Sequence, residues 1–129
     1  MKRIFFLLVI IFFFVQNSFT QSYNKLVKTY SSPKVTFIEL GSVNCIPCKM
    51  MQPVMKNIEK KYTGQVKVIF YDVWTQEQRV YADKYKIRII PTQVFLDENG
   101  KEFHRHEGFY PEAEINKILQ GKGLKPKKN

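Results

Sequence analysis

Residues 35–53 read Val35-Thr36-Phe37-Ile38-Glu39-Leu40-Gly41-Ser42-Val43-Asn44-Cys45-Ile46-Pro47-Cys48-Lys49-Met50-Met51-Gln52-Pro53, and two periodicities meet inside this run. Lys34 to Leu40 contains Val35, Phe37, Ile38 and Leu40, a short stretch of strand formers that predicts an inner β-strand. Gly41-Ser42-Val43-Asn44 breaks it. From Pro47 to Tyr62 the apolar residues Met51, Val54, Met55, Ile58 and Tyr62 recur at intervals of three and four, while Lys49, Lys56, Glu59 and Lys60 take other faces. That spacing predicts a helix, bent by Pro53.

Cys45 and Cys48, the two cysteines of the chain, stand where the strand gives way to the helix. Two cysteines three apart in a first helical turn bring their sulfurs close enough for a small disulfide loop, with Pro47 preorganising the turn. Cys45 meets the unpaired backbone N–H groups and the positive end of the helix dipole, which favour its thiolate. Lys49 adds a positive neighbour. Cys48 lies one turn inward and is placed to resolve a mixed disulfide. Taken alone, such a pair can be a redox couple, half of a metal site or a static disulfide. His104 and His106, the only histidines, alternate onto one side of an expected strand and would complete a tetrahedral zinc set. Their distance in sequence and strand spacing favour ordinary exposed positions, and no metal is expected.

Outward from this run, Val66 to Tyr71 predicts a second buried strand ending at Asp72, and Gln76 to Tyr85 a helix with Val80 and Tyr81 turned inward. Trp74, the lone tryptophan, is expected as core or cover. Ile87 to Pro91 leads into a strand over Thr92 to Leu96. Asp97-Glu98-Asn99-Gly100 is a reverse-turn signal from which Lys101 to Glu107 returns antiparallel. Pro111 opens a last helix through Leu119, with Ile115, Ile118 and Leu119 on one stripe. Strand, helix, strand, helix, hairpin and helix in this order predict an α/β fold, a central mixed sheet flanked by helices on both faces.

The chain has 129 residues, 44% hydrophobic and 25% charged, with six Gly and six Pro. These values suit one globular domain and exclude multidomain, disordered and collagen-like classes. At the N-terminus, Met1-Lys2-Arg3 precedes the unbroken apolar run Ile4 to Val15 and then polar Gln16-Asn17-Ser18. A basic head, an apolar stretch and a polar exit are the parts of a secretory signal, expected over residues 1–20 with cleavage near 18–20. An uncleaved membrane anchor is the lesser reading, because the run is shorter than the roughly 20 residues that cross a bilayer. The expected mature domain covers 21–120, and 121–129 is expected as a basic flexible tail. Without the first twenty residues, 19 basic and 11 acidic side chains remain. Four of the lysines, Lys122, Lys125, Lys127 and Lys128, lie in the tail, so the remaining excess of about four gives little support for nucleic-acid binding.

Residues Pro33 to Gln120 resemble the thioredoxin family. Val35 to Pro53 is similar to the family's first active-site unit. Ile90-Pro91-Thr92, with Pro91 43 residues after Cys48, resembles the second, and the hairpin at Asn99-Gly100 and the later Gly108 match in order. The resemblance implies a thioredoxin-like fold and a Cys45–Cys48 dithiol/disulfide cycle, with Cys45 as nucleophile and Cys48 as resolving thiol. It implies a cis bond before Pro91, facing the pair. It makes Glu39, six residues before Cys45, a buried acid that relays a proton to or from Cys48. Phe70 stands where related proteins often pair that acid with a lysine. Asn44 replaces a common tryptophan, and Ile46-Pro47 a common Gly-Pro, so the contact surface differs. The expected function is an exported thiol–disulfide oxidoreductase of the periplasm or cell envelope, chiefly a reductase of protein disulfides. It needs no cofactor, works as a monomer, draws electrons from a membrane-embedded donor and has no nucleic-acid partner. Alternatives are a disulfide oxidase or isomerase, and a non-catalytic thioredoxin-fold binding module.

Overall fold

A computed structural model describes residues 33–127 of the chain. The expected signal segment lies outside the described residues. Among those described, no helix is long and apolar enough to cross a membrane.

Four strands form one mixed sheet: β1 (Val35–Gly41), β2 (Val66–Asp72), β3 (Thr92–Asp97) and β4 (Glu102–Glu107), in the spatial order β2-β1-β3-β4. β1 runs parallel to β2 and antiparallel to β3, and β3 pairs antiparallel with β4. A central strand covered on both faces has no polar side, which explains why β1 is apolar at consecutive positions rather than at alternate ones. Every β1 residue except Thr36 is buried.

The helices are α1 (Ile46–Lys61), α2 (Val80–Lys84) and α3 (Glu112–Gly121). Val35 and Phe37 face a core built with Met51, Met55 and Ile58 of α1, Ile115 and Leu119 of α3, and Phe95 of β3. The rings of Phe37 and Phe95 stack there with centroids 4.6 Å apart. Burying an aromatic ring contributes about 1.5–3 kcal/mol, and this pair ties the middle of β1 to β3. Ile38, Leu40 and Val94 face the other way, against Tyr81, Ala82 and Tyr85. The sheet therefore has helices on both faces, as the element order predicts.

α1 runs through Pro53, which is exposed. The helix expected over Gln76 to Tyr85 is much shorter, with only Val80–Lys84 helical. At its start the chain makes tighter turns, Tyr81 N donating to Gln78 O and Ala82 N to Arg79 O, each 3.0 Å. The Gln78 side chain is drawn off to accept from Asp72 N at 2.6 Å. Val80, expected inward, is exposed, while Tyr81 does turn in and stacks on Tyr71.

The β3–β4 turn follows its sequence signal. Asp97 Oδ1 accepts from Asn99 N and Lys101 N, and Gly100 takes a φ of 75°, a region that glycine enters without a Cβ clash. Packing continues past Gln120, the expected end of the domain. Gly121 belongs to α3, Leu124 is buried, Lys125 exchanges hydrogen bonds with Gln65, and Lys127 N donates to Lys61 O at 2.8 Å. Up to Lys127 the segment expected as a free tail lies against α1 and the start of β2.

Candidate active site

The carboxyl end of β1 gathers the residues singled out from sequence. Gly41 is its last residue and Ser42–Asn44 the turn that follows, closed by Cys45 N donating to Ser42 O at 3.2 Å and Asn44 N to Ser42 Oγ at 3.2 Å. Cys45 is then the N-cap of α1, in extended conformation (φ −96°, ψ 125°). An N-cap side chain takes up an otherwise unpaired N–H of the first turn. Here the acceptor is sulfur: Cys48 N donates to Cys45 Sγ at 3.4 Å. Any negative charge on Cys45 Sγ thus meets a backbone donor and the helix dipole together, the arrangement that lowers a thiol pKa.

Cys45 and Cys48 are joined as a disulfide with Cα atoms 5.2 Å apart. They are unequally shielded, Cys45 keeping 8% exposure and Cys48 none. The difference comes from the helix: Cys45 caps its outer end, and Cys48 points into the protein against Gly41. A Cβ built on Gly41 would lie 3.1 Å from both Cβ and Sγ of Cys48 and 3.3 Å from the Phe70 ring. A side chain here would press on Cys48 and Phe70 by a few tenths of an ångström. Gly41→Ala is expected to destabilise the oxidised protein by about 1–3 kcal/mol, the usual cost of overpacking. Urea unfolding measures it, and an unchanged midpoint would show that the seat is not tight.

Glu39 lies two residues before Gly41 on the same face of β1 and is fully buried. Burial pushes its pKa from 4.5 up to about 8. Phe70 is its register partner on β2 and Gln93 its partner on β3. Among the described residues Glu39 takes part in no ion pair, and neither carboxyl oxygen has a hydrogen-bond partner. The acid sits in the sheet uncompensated, which is what phenylalanine at position 70 in place of a cation implies.

Pro91 is buried just before Thr92, whose partner is Leu40, so the start of β3 meets the end of β1 beside the cysteines. The Ile90–Pro91 bond is cis. Gly108 N donates to Pro91 O at 2.7 Å, and Thr92 Oγ1 to Ile89 O at 2.7 Å.

Two features had no signal in the sequence reading. The Asp72 carboxylate links two loops, accepting from Val43 N through Oδ2 and from Trp74 N through Oδ1, each 3.1 Å. It ties the turn before Cys45 to the segment after β2. Trp74, expected as core or cover, is instead 62% exposed. Val43, Ile46 and Ile89, from the segments around Cys45 and Pro91, are also large exposed apolar residues.

His104 and His106 do not stand exposed. His104 Nε2 lies 2.9 Å from Tyr110 Oη, and the His106 ring stacks on Tyr110 with centroids 4.0 Å apart. Burial lowers the His104 pKa, helped by its neighbour His106. Among the described residues no group of three or more His, Cys, Asp or Glu is placed to hold a metal ion.

The profile of the thioredoxin-like domain family matches residues 22–122. The chain belongs to this family. It is 32% identical to a thioredoxin-like protein of Synechocystis sp. over 69% of this chain and 82% of that one. It is 36% identical to a thioredoxin of Malassezia sympodialis over 70% of this chain and 84% of that one. Among solved structures, the germline-specific thioredoxin Deadhead of Drosophila melanogaster superposes with a TM-score of 0.60 at 25% identity, covering 79% and 92% of the two chains. With the family's fold and a Cys–Cys pair at the start of α1, this thioredoxin-like protein is a thiol–disulfide oxidoreductase.

Proposed function

We propose that this thioredoxin-like protein is exported and works chiefly as a reductant of protein disulfides in the cell envelope. The observation that carries the reductive cycle is the inequality of the pair: Cys45 with 8% exposure and a donor on its sulfur, Cys48 sealed behind it with none. In the first step Cys45 thiolate attacks a client disulfide, forming the Cys45–client bond and releasing the other client sulfur as thiolate. In the second, Cys48 loses its proton and attacks Cys45 Sγ, forming the internal disulfide and expelling the second client sulfur, which is protonated. Two electrons pass from the dithiol to the client. Proteins named thioredoxin among the relatives support this direction. To repeat the cycle outside the cytosol the pair needs a reductant, and a membrane-embedded dithiol donor supplies the matching chemistry. Clients are folded or partly folded proteins with an accessible disulfide, and the domain acts as a monomer.

Export rests on residues 1–18. N-terminal sequencing of protein from fractionated cells is expected to find a start near residue 19 or 21 outside the cytosol, and an intact Met1 in a soluble cytosolic pool would end that part of the reading.

The donor on Cys45 Sγ also favours a second direction. Stabilising the thiolate stabilises the reduced form, and a stable reduced form makes the disulfide oxidising. Equilibrium titration against a thiol buffer separates the two. A potential near about −270 mV is expected for the reductase, and one near about −120 mV would identify an oxidase.

A further inference from the structure

One rung of the sheet holds three buried oxygen atoms without a partner: both carboxyl oxygens of Glu39 and Oε1 of Gln93. Glu39 and Gln93 are direct cross-strand partners in β1 and β3, both with no exposure. Residues directly opposed in an antiparallel pair point to the same face, with Cβ atoms about 4.5–5.5 Å apart. On the amide of Gln93, Nε2 already donates to Gly108 O at 3.0 Å. What remains are three acceptors without a protein donor, an arrangement that buried polar groups avoid.

A single proton resolves it. On Glu39 it converts one oxygen into a donor, and the nearest orphan able to receive it is Gln93 Oε1. The second Glu39 oxygen stays an acceptor on the face where Gly41 abuts Cys48. In the disulfide form Cys48 has nothing to donate, and after reduction its thiol does.

We propose that Gln93 is a positioning residue that receives the hydrogen bond of the neutral Glu39 carboxyl group through Oε1, and so turns the other Glu39 oxygen toward the Cys48 thiol. Phe70 from β2 and Gln93 from β3 flank Glu39, and Cys48 from α1 abuts Gly41, two residues on along the same face of β1. His106, the partner of Gln93 on β4, is the next titratable group in the row, and it is engaged with Phe109 O at 3.2 Å and with the Tyr110 ring. No described cation pairs with the acid, so the neutral form needs an acceptor rather than a counter-charge. The role of the second oxygen rests on the dithiol cycle proposed above. The Glu39–Gln93 bond does not.

Infrared difference spectroscopy of the oxidised protein at pH 6 reads the bond directly. The carboxylic C=O band missing from Glu39→Gln is assigned to Glu39, and it is expected to move to higher frequency in Gln93→Leu, as for an acid that has lost its acceptor. A band at the same frequency in both proteins overturns the proposal. Should Gln93→Leu not fold, the wild-type protein suffices: the Gln93 side-chain carbonyl carbon is expected to titrate by NMR with a midpoint near pH 8, and not at all in Glu39→Gln. A shift independent of pH in the wild type overturns the proposal equally. Reduction should lower the frequency of the wild-type acid band as Cys48 begins to donate, and a band blind to reduction removes that half. If the protein fails to reduce a small aromatic disulfide while the oxidised-state signals appear, the dithiol reading falls and the Glu39–Gln93 bond stands.

Discussion

Replacing Cys48 with serine should leave client proteins covalently trapped on Cys45, whereas Cys45→Ser should trap none and lose disulfide reduction by on the order of 10³-fold or more, equivalent to about 4 kcal/mol of transition-state stabilisation. The asymmetry follows from the N-cap. Cys45 Sγ receives the Cys48 N–H at 3.4 Å and keeps some exposure, so its thiolate is both stabilised and reachable. Cys48 has no exposure and lies against Gly41. It acts only after a mixed disulfide has formed beside it. Alkylation followed by mass spectrometry across pH identifies the reactive thiol without a known client. Faster labelling of Cys48 through the neutral range, or trapping by Cys45→Ser alone, would reverse the two roles.

Removing the ionisable group at position 39 is expected to stabilise the fold at neutral pH. The Glu39 carboxyl is held at about 8 by burial, against an ordinary 4.5. Between those values the folded chain retains a proton that the unfolded chain releases, so stability falls as pH rises, by about 1.4 kcal/mol per unit. The contribution of the neutral acid is complete below about 4.5, declines from there to about 8, and is gone above 8. Glu39→Gln keeps the shape and cannot ionise. Its expected gain is small near pH 4.5 and about 3 kcal/mol at pH 7, with the difference levelling off above pH 8. Chemical denaturation of both proteins at pH 5, 7 and 9 measures it. A constant difference across that range would place the Glu39 pKa near its ordinary value and contradict the uncompensated burial. The same substitution should slow client release, since it removes the acid that relays the Cys48 proton in the proposed cycle.

These two predictions draw on different levels of the molecule. The placement of the cysteine pair at a helix start was legible in residues 45–48, because N-cap electrostatics are local: a cysteine at a helix start meets the same N–H groups whatever surrounds it. Glu39 was legible as an acid six residues upstream, but its energetics were not. A carboxyl in a strand can face water, a cation or the core, and only the packing of α1 across β1, with Phe70 and Gln93 on either side, chose the core.

Sequence alone determined the alternation of strands and helices, the helix start at the cysteine pair, the hairpin at Asn99-Gly100 and the mixed sheet with helices on both faces, since each follows from periodicity and turn chemistry within a few residues. It overextended α2, because the diversion of the Gln78 side chain to Asp72 N is a contact made only after β2 is in place. It made Trp74 core or cover, whereas the Asp72 carboxylate holds that loop beside Val43 and the indole is 62% exposed. Gln93 gave no signal at all. A glutamine in a strand is unremarkable in one dimension, and its meaning comes from the antiparallel register that sets it across from Glu39. Register, burial and the pairing of distant polar groups are properties of tertiary structure, for they depend on which chains of atoms exclude water together.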